Sequence, residues 1–170
     1  NFRSIFFIDA NTGFAGGYYG SLYKTTNSGQ SWIQILLQHS IIIRDIRFIN
    51  STTGFISSSQ ASIYKTTNTG VNWNRVNFNM NDGYLFNLSF PSQMTGYAAG
   101  EVLYKTTNGG ANWFNLQNPV SSTLNWSLYF LDENTGFLGG NFGEISRTTN
   151  GGNNWNTIQT NLQFALTGIH

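Results

Sequence analysis

The chain contains no cysteine, so it forms no disulfide and offers no thiolate to a metal or a substrate. Its only histidines are His39 and His170, far apart in sequence. A zinc site wants three or four His, Cys or carboxylate ligands within reach, so no metal centre and no cofactor are expected. Charge is scarce: Asp, Glu, Lys and Arg make up 9% of the residues, against about a quarter in ordinary domains. The net charge is +1, and nothing resembles the basic stripe that a nucleic-acid partner requires. No apolar run approaches the roughly 18 residues of a membrane-spanning helix. No glycine-rich stretch has the spacing of a phosphate loop. No segment carries a helical period.

Aromatic residues are plentiful. They form 16% of the chain, with 14 Phe, 8 Tyr and 5 Trp, beside 19 Gly. A disordered chain favours charge and few aromatics, so this chain is expected to fold. Its 170 residues fit a single domain, 1–170. Low charge together with abundant Asn, Thr, Ser and Gly suits an extracellular or cell-surface protein.

One stretch recurs four times. Thr25-Thr26-Asn27-Ser28-Gly29-Gln30-Ser31-Trp32 returns as Thr66 to Trp73, Thr106 to Trp113 and Thr148 to Trp155. The tryptophans that close the four copies, Trp32, Trp73, Trp113 and Trp155, lie 41, 40 and 42 residues apart. A fixed period in this range signals a repeat architecture. Each copy reads as a hairpin. The residues before it are apolar, aromatic or β-branched, as a strand wants. Asn27, Asn68, Asn108 and Asn150 bond the local backbone, and Gly29, Gly70, Gly110 and Gly152 accept positive φ. Trp32, Trp73, Trp113 and Trp155 then enter the next strand, each needing an acceptor for its indole N–H. Lys24, Lys65, Lys105 and Arg147 precede the four boxes. They are read as rim positions, stem packed and charge in water.

Four short strands fit each unit. In the first they run Asn1 to Ile8 (A), Phe14 to Tyr18 (B), Leu22 to Thr25 (C) and Ser31 to Leu37 (D). Phe7, Phe48, Phe90 and Phe130 align, as do Gly13-Phe14, Gly54-Phe55, Gly96-Tyr97 and Gly136-Phe137. These positions are expected to pack sheet against sheet. The expected fold is therefore all-β: a β-propeller of four-stranded antiparallel blades, about four in this chain. Thr167-Gly168-Ile169-His170 aligns with Arg3-Ser4-Ile5-Phe6, so a fifth strand A begins. A section of a larger propeller is favoured over a closed four-blade ring.

The repeated stretch resembles the Asp-box of bacterial neuraminidase repeats, with Asn in the Asp place. The longer unit, Lys-Thr-Thr-Asn-Gly-Gly-x-x-Trp with Gly-Phe or Gly-Tyr before it, is similar to the repeat β-propellers of the photosystem II assembly-factor type. The resemblance covers essentially the whole chain. It implies that the boxes are folding devices on outer hairpins and that the molecule is a protein-interaction platform. Sialidases and xyloglucanases carry similar boxes. A sialidase-like site needs an arginine cluster, a Tyr nucleophile and acids, of which Arg3, Arg44 and Tyr129 are a partial echo.

The candidate binding residues lie on strand A and on one loop edge. Antiparallel connectivity puts the A–B turns and boxes on one edge and the B–C and D–A loops on the other. The box edge is nearly the same in every unit. The other edge varies, presenting His39, Asp82, Glu101 and Phe142. Along strand A one aligned position reads Arg3, Arg44, Phe86, Trp126, and another reads Phe6, Arg47, Ser89, Tyr129. Arginine and aromatics there suit recognition of a protein or a glycan. Asp9 and Asp132 are read as turn formers. Asp45 with Asp82 or Glu101 can be imagined as an acid pair for glycoside hydrolysis, but nothing in the spacing selects them. The expected function is a non-enzymatic binding or scaffold module for a protein partner. The alternatives are a lectin-like propeller and a piece of a glycoside hydrolase. Self-association, or further blades from a longer parent, is the other expected partnership.

Overall fold

A computed structural model describes residues 1–37, 41–76, 83–119 and 124–168. His39, Asp82 and His170 fall outside them. The first sheet comprises β1 (Phe2–Phe7), β2 (Gly13–Gly17), β3 (Ser21–Thr25) and β4 (Ile33–Leu36), paired antiparallel in that order. The second comprises β5 (Ile43–Phe48), β6 (Gly54–Ser58), β7 (Ser62–Thr66) and β8 (Asn74–Arg75). The third comprises β9 (Leu85–Ser89), β10 (Gly96–Gly100), β11 (Leu103–Thr106) and β12 (Phe114–Leu116). The fourth comprises β13 (Ser127–Phe130), β14 (Gly136–Gly139), β15 (Glu144–Thr148) and β16 (Asn156–Gln159). These are propeller blades, each with its A strand packed beside the A strand of the next. The D strands are shorter than the sequence suggested. In β8, Asn74 pairs with Lys65 and Arg75 with Tyr64, and Val76 N donates to the Ile63 carbonyl at 2.8 Å.

Both turns on the box edge are held by side-chain oxygens. In the box, Thr25 Oγ1 accepts the Gly29 N–H at 2.9 Å and donates to Asn27 Oδ1 at 3.0 Å. Asn27 Oδ1 also accepts the Ser31 N–H at 2.9 Å. The same three bonds recur around Asn68, Asn108 and Asn150. In the A–B turns, Asp9 Oδ1 accepts from Asn11 and Thr12, and Asp132 Oδ1 from Asn134 and Thr135. Asn50 and Ser92 do the same in the middle blades. Box and A–B turn are tied together, as where Ser28 N donates to the Asn11 carbonyl.

The core lies in the seams between blades. Phe14 of the first blade stacks on Phe48 of the second with centroids 5.0 Å apart, and Trp73 meets both rings edge-on. Phe55 on Phe90 with Trp113, and Tyr97 on Phe130 with Trp155, repeat the arrangement. The aligned glycine makes room for the aligned ring: a Cβ on Gly54 would lie 2.7 Å from Phe48. Trp32 and Trp155 donate their indole N–H to the carbonyls of Gly29 and Gly152 at 3.1 Å.

The basic residues before the boxes do more than sit at a rim. Lys24 Nζ donates to the Thr69 carbonyl at 2.6 Å, Lys65 to Gly109 at 2.7 Å and Lys105 to Gly151 at 2.8 Å. Each ammonium crosses its seam and fastens the next blade's box. Sequence periodicity cannot show this, because the acceptor is a backbone oxygen about 45 residues on.

The described residues do not form a closed four-blade ring. Ile46 on β5 is fully buried against the first blade, while its counterpart Ile5 on β1 is 63% exposed. The segment after β16 lies on the fourth blade as the second blade's approach lies on the first. Gly143 N donates to the Phe164 carbonyl, as Gly20 N does to Ile41.

Candidate binding edge

A β-bulge shapes the same end of three A strands. The A–B register slips between Phe2 and Ser4, between Ile43 and Asp45, and between Asn87 and Leu85. The extra residues are Arg3, Arg44 and Phe86. A bulge re-aims its side chain, and here the re-aimed groups meet across blades. Arg44 lies over the Phe86 ring, 5.2 Å from its centroid. Phe86 stacks on Trp126 with centroids 4.9 Å apart and planes within 5°. Tyr84 stacks on Phe86 from the same blade. Arg3 lies over Tyr18 and donates to its hydroxyl. The result is a row of two guanidinium groups followed by stacked aromatics, one position per blade.

The row is electrostatically unfinished. Arg44 Nε is buried and has no hydrogen-bond partner among the described residues. Burial, and then the Arg3 charge, hold the Arg44 guanidinium below its ordinary pKa. A bond from Arg3 lowers the Tyr18 phenol. An incoming carboxylate at the exposed part of these guanidinium groups would offset the repulsion between two like charges.

Neighbouring loops fix the aromatic end. The Trp126 indole N–H donates to Asn141 Oδ1, and Asn87 Nδ2 donates to the Trp126 carbonyl at 2.9 Å. Asn141 opens a 3-10 turn in which Phe142 sits at φ 53° and is 61% exposed. Glu101 accepts the Tyr84 N–H at 3.1 Å, so its carboxylate anchors a loop in this edge. The structure thus gathers Arg3, Arg44, Trp126, Glu101 and Phe142 on one edge.

Arg47 and Tyr129 lie apart from that row. They line a cavity of about 520 Å³ between the second, third and fourth blades, with Ser89, Pro91 and Leu131. Arg47 Nε is 3.2 Å from Asp45 Oδ2. Asp45 is buried and spans three blades. It accepts from Ser4 Oγ of the first blade, from Ile46 N of its own and from Leu88 N of the third. Burial pushes its carboxyl up, and the Arg47 charge pulls it back. Asp45 is a seam residue, bonded to three blades. Among the described residues no three His, Cys, Asp or Glu cluster to hold a metal, and no helix is long and apolar enough to cross a membrane.

Tyr18, Tyr84 and Asn141 complete the edge and were not singled out by sequence. Their loops stood out as variable, but stacking and the indole bond depend on the bulges, which leave no mark on hydrophobic alternation.

The comparisons agree with this architecture. Residues 24–162 match the family described as Photosynthesis system II assembly factor YCF48. Among solved structures, a YCF48 protein bound to a D1 peptide superposes with a TM-score of 0.62 at 14% identity, covering 92% of this chain and 81% of that one. An ancestral GH74 enzyme gives 0.74 at 21% identity, covering 91% of this chain and 23% of its own. The GH74 xyloglucanase from Xanthomonas campestris gives 0.72 at 14%, covering 90% and 29%. At these identities the likenesses establish the fold alone. No curated protein matches the chain.

Proposed function

The chain belongs to the Photosynthesis system II assembly factor YCF48 family, and from that premise we propose that it is a non-enzymatic module that binds a protein partner. The partner is an extended peptide segment or loop laid across the bulged ends of the A strands. The observation that carries this reading is the row Arg44, Phe86, Trp126, in which a half-buried guanidinium lies over one of two stacked rings. A polypeptide supplies both halves of the match: carbonyls or a carboxylate for Arg3 and Arg44, and apolar side chains for the ring edges and Phe142. A solved YCF48 protein holds a peptide, which supports the class of partner. Sparse charge and many Asn, Thr and Gly favour display outside the cell or on its surface.

A glycan is the second reading, favoured by the GH74 likenesses and by Trp126. It fits the geometry less well. Sugars stack on open ring faces, whereas Phe86 is covered by Arg44 from one neighbouring blade and Trp126 from the other. Parallel probing of a peptide-display library and a glycan array separates the two. Enrichment of peptides with no glycan signal is expected. Saturable glycan binding with no enriched peptide would reverse the assignment.

A further inference from the structure

Asparagine is followed by glycine at two places in the chain, Asn108-Gly109 and Asn150-Gly151, and both lie in boxes. This pair has a chemistry of its own. The glycine nitrogen gives up its proton to base and attacks the asparagine Cγ. A C–N bond forms, and Nδ2 leaves as ammonia. Water then opens the cyclic imide at either carbonyl. One opening gives aspartate. The other gives isoaspartate, in which the side-chain carbon has become part of the backbone. Glycine suits the attacking position because it has no Cβ to hinder the approach. The first two boxes place Ser28 and Thr69 there instead.

The folded box keeps the reacting groups off this course. Asn108 Oδ1 accepts from Thr106 Oγ1 at 3.1 Å and from the Asn112 N–H at 2.9 Å, which fixes the amide under attack. The attacking nitrogen, Gly109 N, donates to the Met94 carbonyl at 2.8 Å. The Gly109 carbonyl accepts the Lys65 ammonium of the preceding blade at 2.7 Å. The fourth box repeats the arrangement. Asn150 Oδ1 accepts from Thr148 Oγ1 and the Asn154 N–H, and Gly151 N donates to the Asn134 carbonyl. The Gly151 carbonyl accepts both Lys105 Nζ at 2.8 Å and the Tyr97 hydroxyl at 3.2 Å. Each Asn-Gly pair is thus pinned from its own blade and from its neighbour. Lys105 is close to Asn108 in sequence, yet it holds the box of Asn150.

We propose that Asn108 and Asn150 are sites of spontaneous deamidation that the seam donors keep closed: Lys65 closes Asn108, and Lys105 with Tyr97 closes Asn150. When a seam opens locally, the glycine is released and the imide forms. Aspartate keeps an oxygen for the box bonds. Isoaspartate adds a backbone atom just ahead of Gly110, which sits so close to Phe55 that a Cβ would lie 2.3 Å from the ring. That fit is lost, and the opened seam cannot re-form.

The test follows both sites by peptide mass spectrometry while the 170-residue chain is held in mildly alkaline buffer, with and without urea. Lys65→Met and Lys105→Met keep the packed stem and remove the donor, and Tyr97→Phe removes one hydroxyl. In the wild type both sites are expected to react slowly in buffer and fast in urea. Lys65→Met is expected to raise the rate at Asn108 relative to Asn150 about tenfold or more. Lys105→Met should do the reverse, and Tyr97→Phe should act in the same direction as Lys105→Met by a smaller factor. The ratio of the two sites within one molecule separates a local effect from a global one. A variant that merely loosens the whole fold raises both rates together, and that result would overturn the proposal. Equal wild-type rates in buffer and urea would overturn it, as would acceleration at Asn108 in Lys105→Met.

Discussion

Asn108 holds its turn through one oxygen, which accepts from Thr106 Oγ1 and from the Asn112 N–H. Asn108→Ala removes both bonds and is expected to lower stability by about 0.5–1.5 kcal/mol while leaving any binding unchanged. A thermal melt measures this, and an unchanged midpoint would remove the structural role of the box. Asp9 and Asp132 do similar work with a charge. Backbone N–H groups of Thr12 and Asn11, and of Thr135 and Asn134, hold their carboxyls below the ordinary value of 3.8. A depressed carboxyl adds stability above its unfolded value and loses it as pH falls through the folded one. Asp45 has the opposite sign. Its raised carboxyl adds stability below 3.8, lost as pH rises through the folded value. The double variant Asp9→Asn, Asp132→Asn keeps the turn oxygen that Asn50 already supplies in the second blade. Its melting temperature is expected to fall less than the wild type's below about pH 4. Parallel curves for the two proteins would contradict the assignment.

At the level of the element, the box glycine and the residue before it have different duties. Both take positive φ in the third hairpin, Gly109 at 64° and Gly110 at 72°. Ser28 and Thr69 occupy the first position elsewhere, at 59° and 55°, so a side chain fits there. A Cβ on Gly110 would lie 2.3 Å from the Phe55 ring across the seam. Gly109→Ser is expected to cost about 1 kcal/mol from backbone strain. Gly110→Ala should cost about 2–4 kcal/mol, from strain plus overpacking. Equal losses in denaturant unfolding would count against the seam account. Strands, turns and the Phe–Gly register were all legible in sequence, because each depends on residue types recurring at fixed offsets. The bulges were not, since an extra residue shows only against its partner strand. The bonds from Lys24, Lys65 and Lys105 were hidden for a similar reason: a backbone acceptor on another blade carries no sequence signature.

At the scale of the whole molecule, four near-identical units produce one edge of repeated turn chemistry and one edge that differs from blade to blade. Sequence located the second edge and named Arg3, Arg44 and Trp126 on it. It could not show that Arg44, Phe86 and Trp126 touch, nor that Arg47 and Tyr129 belong to a separate cavity, because both facts follow from how neighbouring blades stack. The central claim is that a polypeptide partner is recognised by that stacked row. Its most direct test is the affinity of one display-selected peptide for the wild type and for Arg44→Ala, Trp126→Ala, Ser28→Ala and Thr69→Ala. The first two variants are expected to bind about thirtyfold or more weakly with melting temperatures little changed, and the two box-edge variants to bind as the wild type does. Normal binding by Arg44→Ala and Trp126→Ala, with loss at Ser28 or Thr69, would place the partner on the opposite edge and contradict the account.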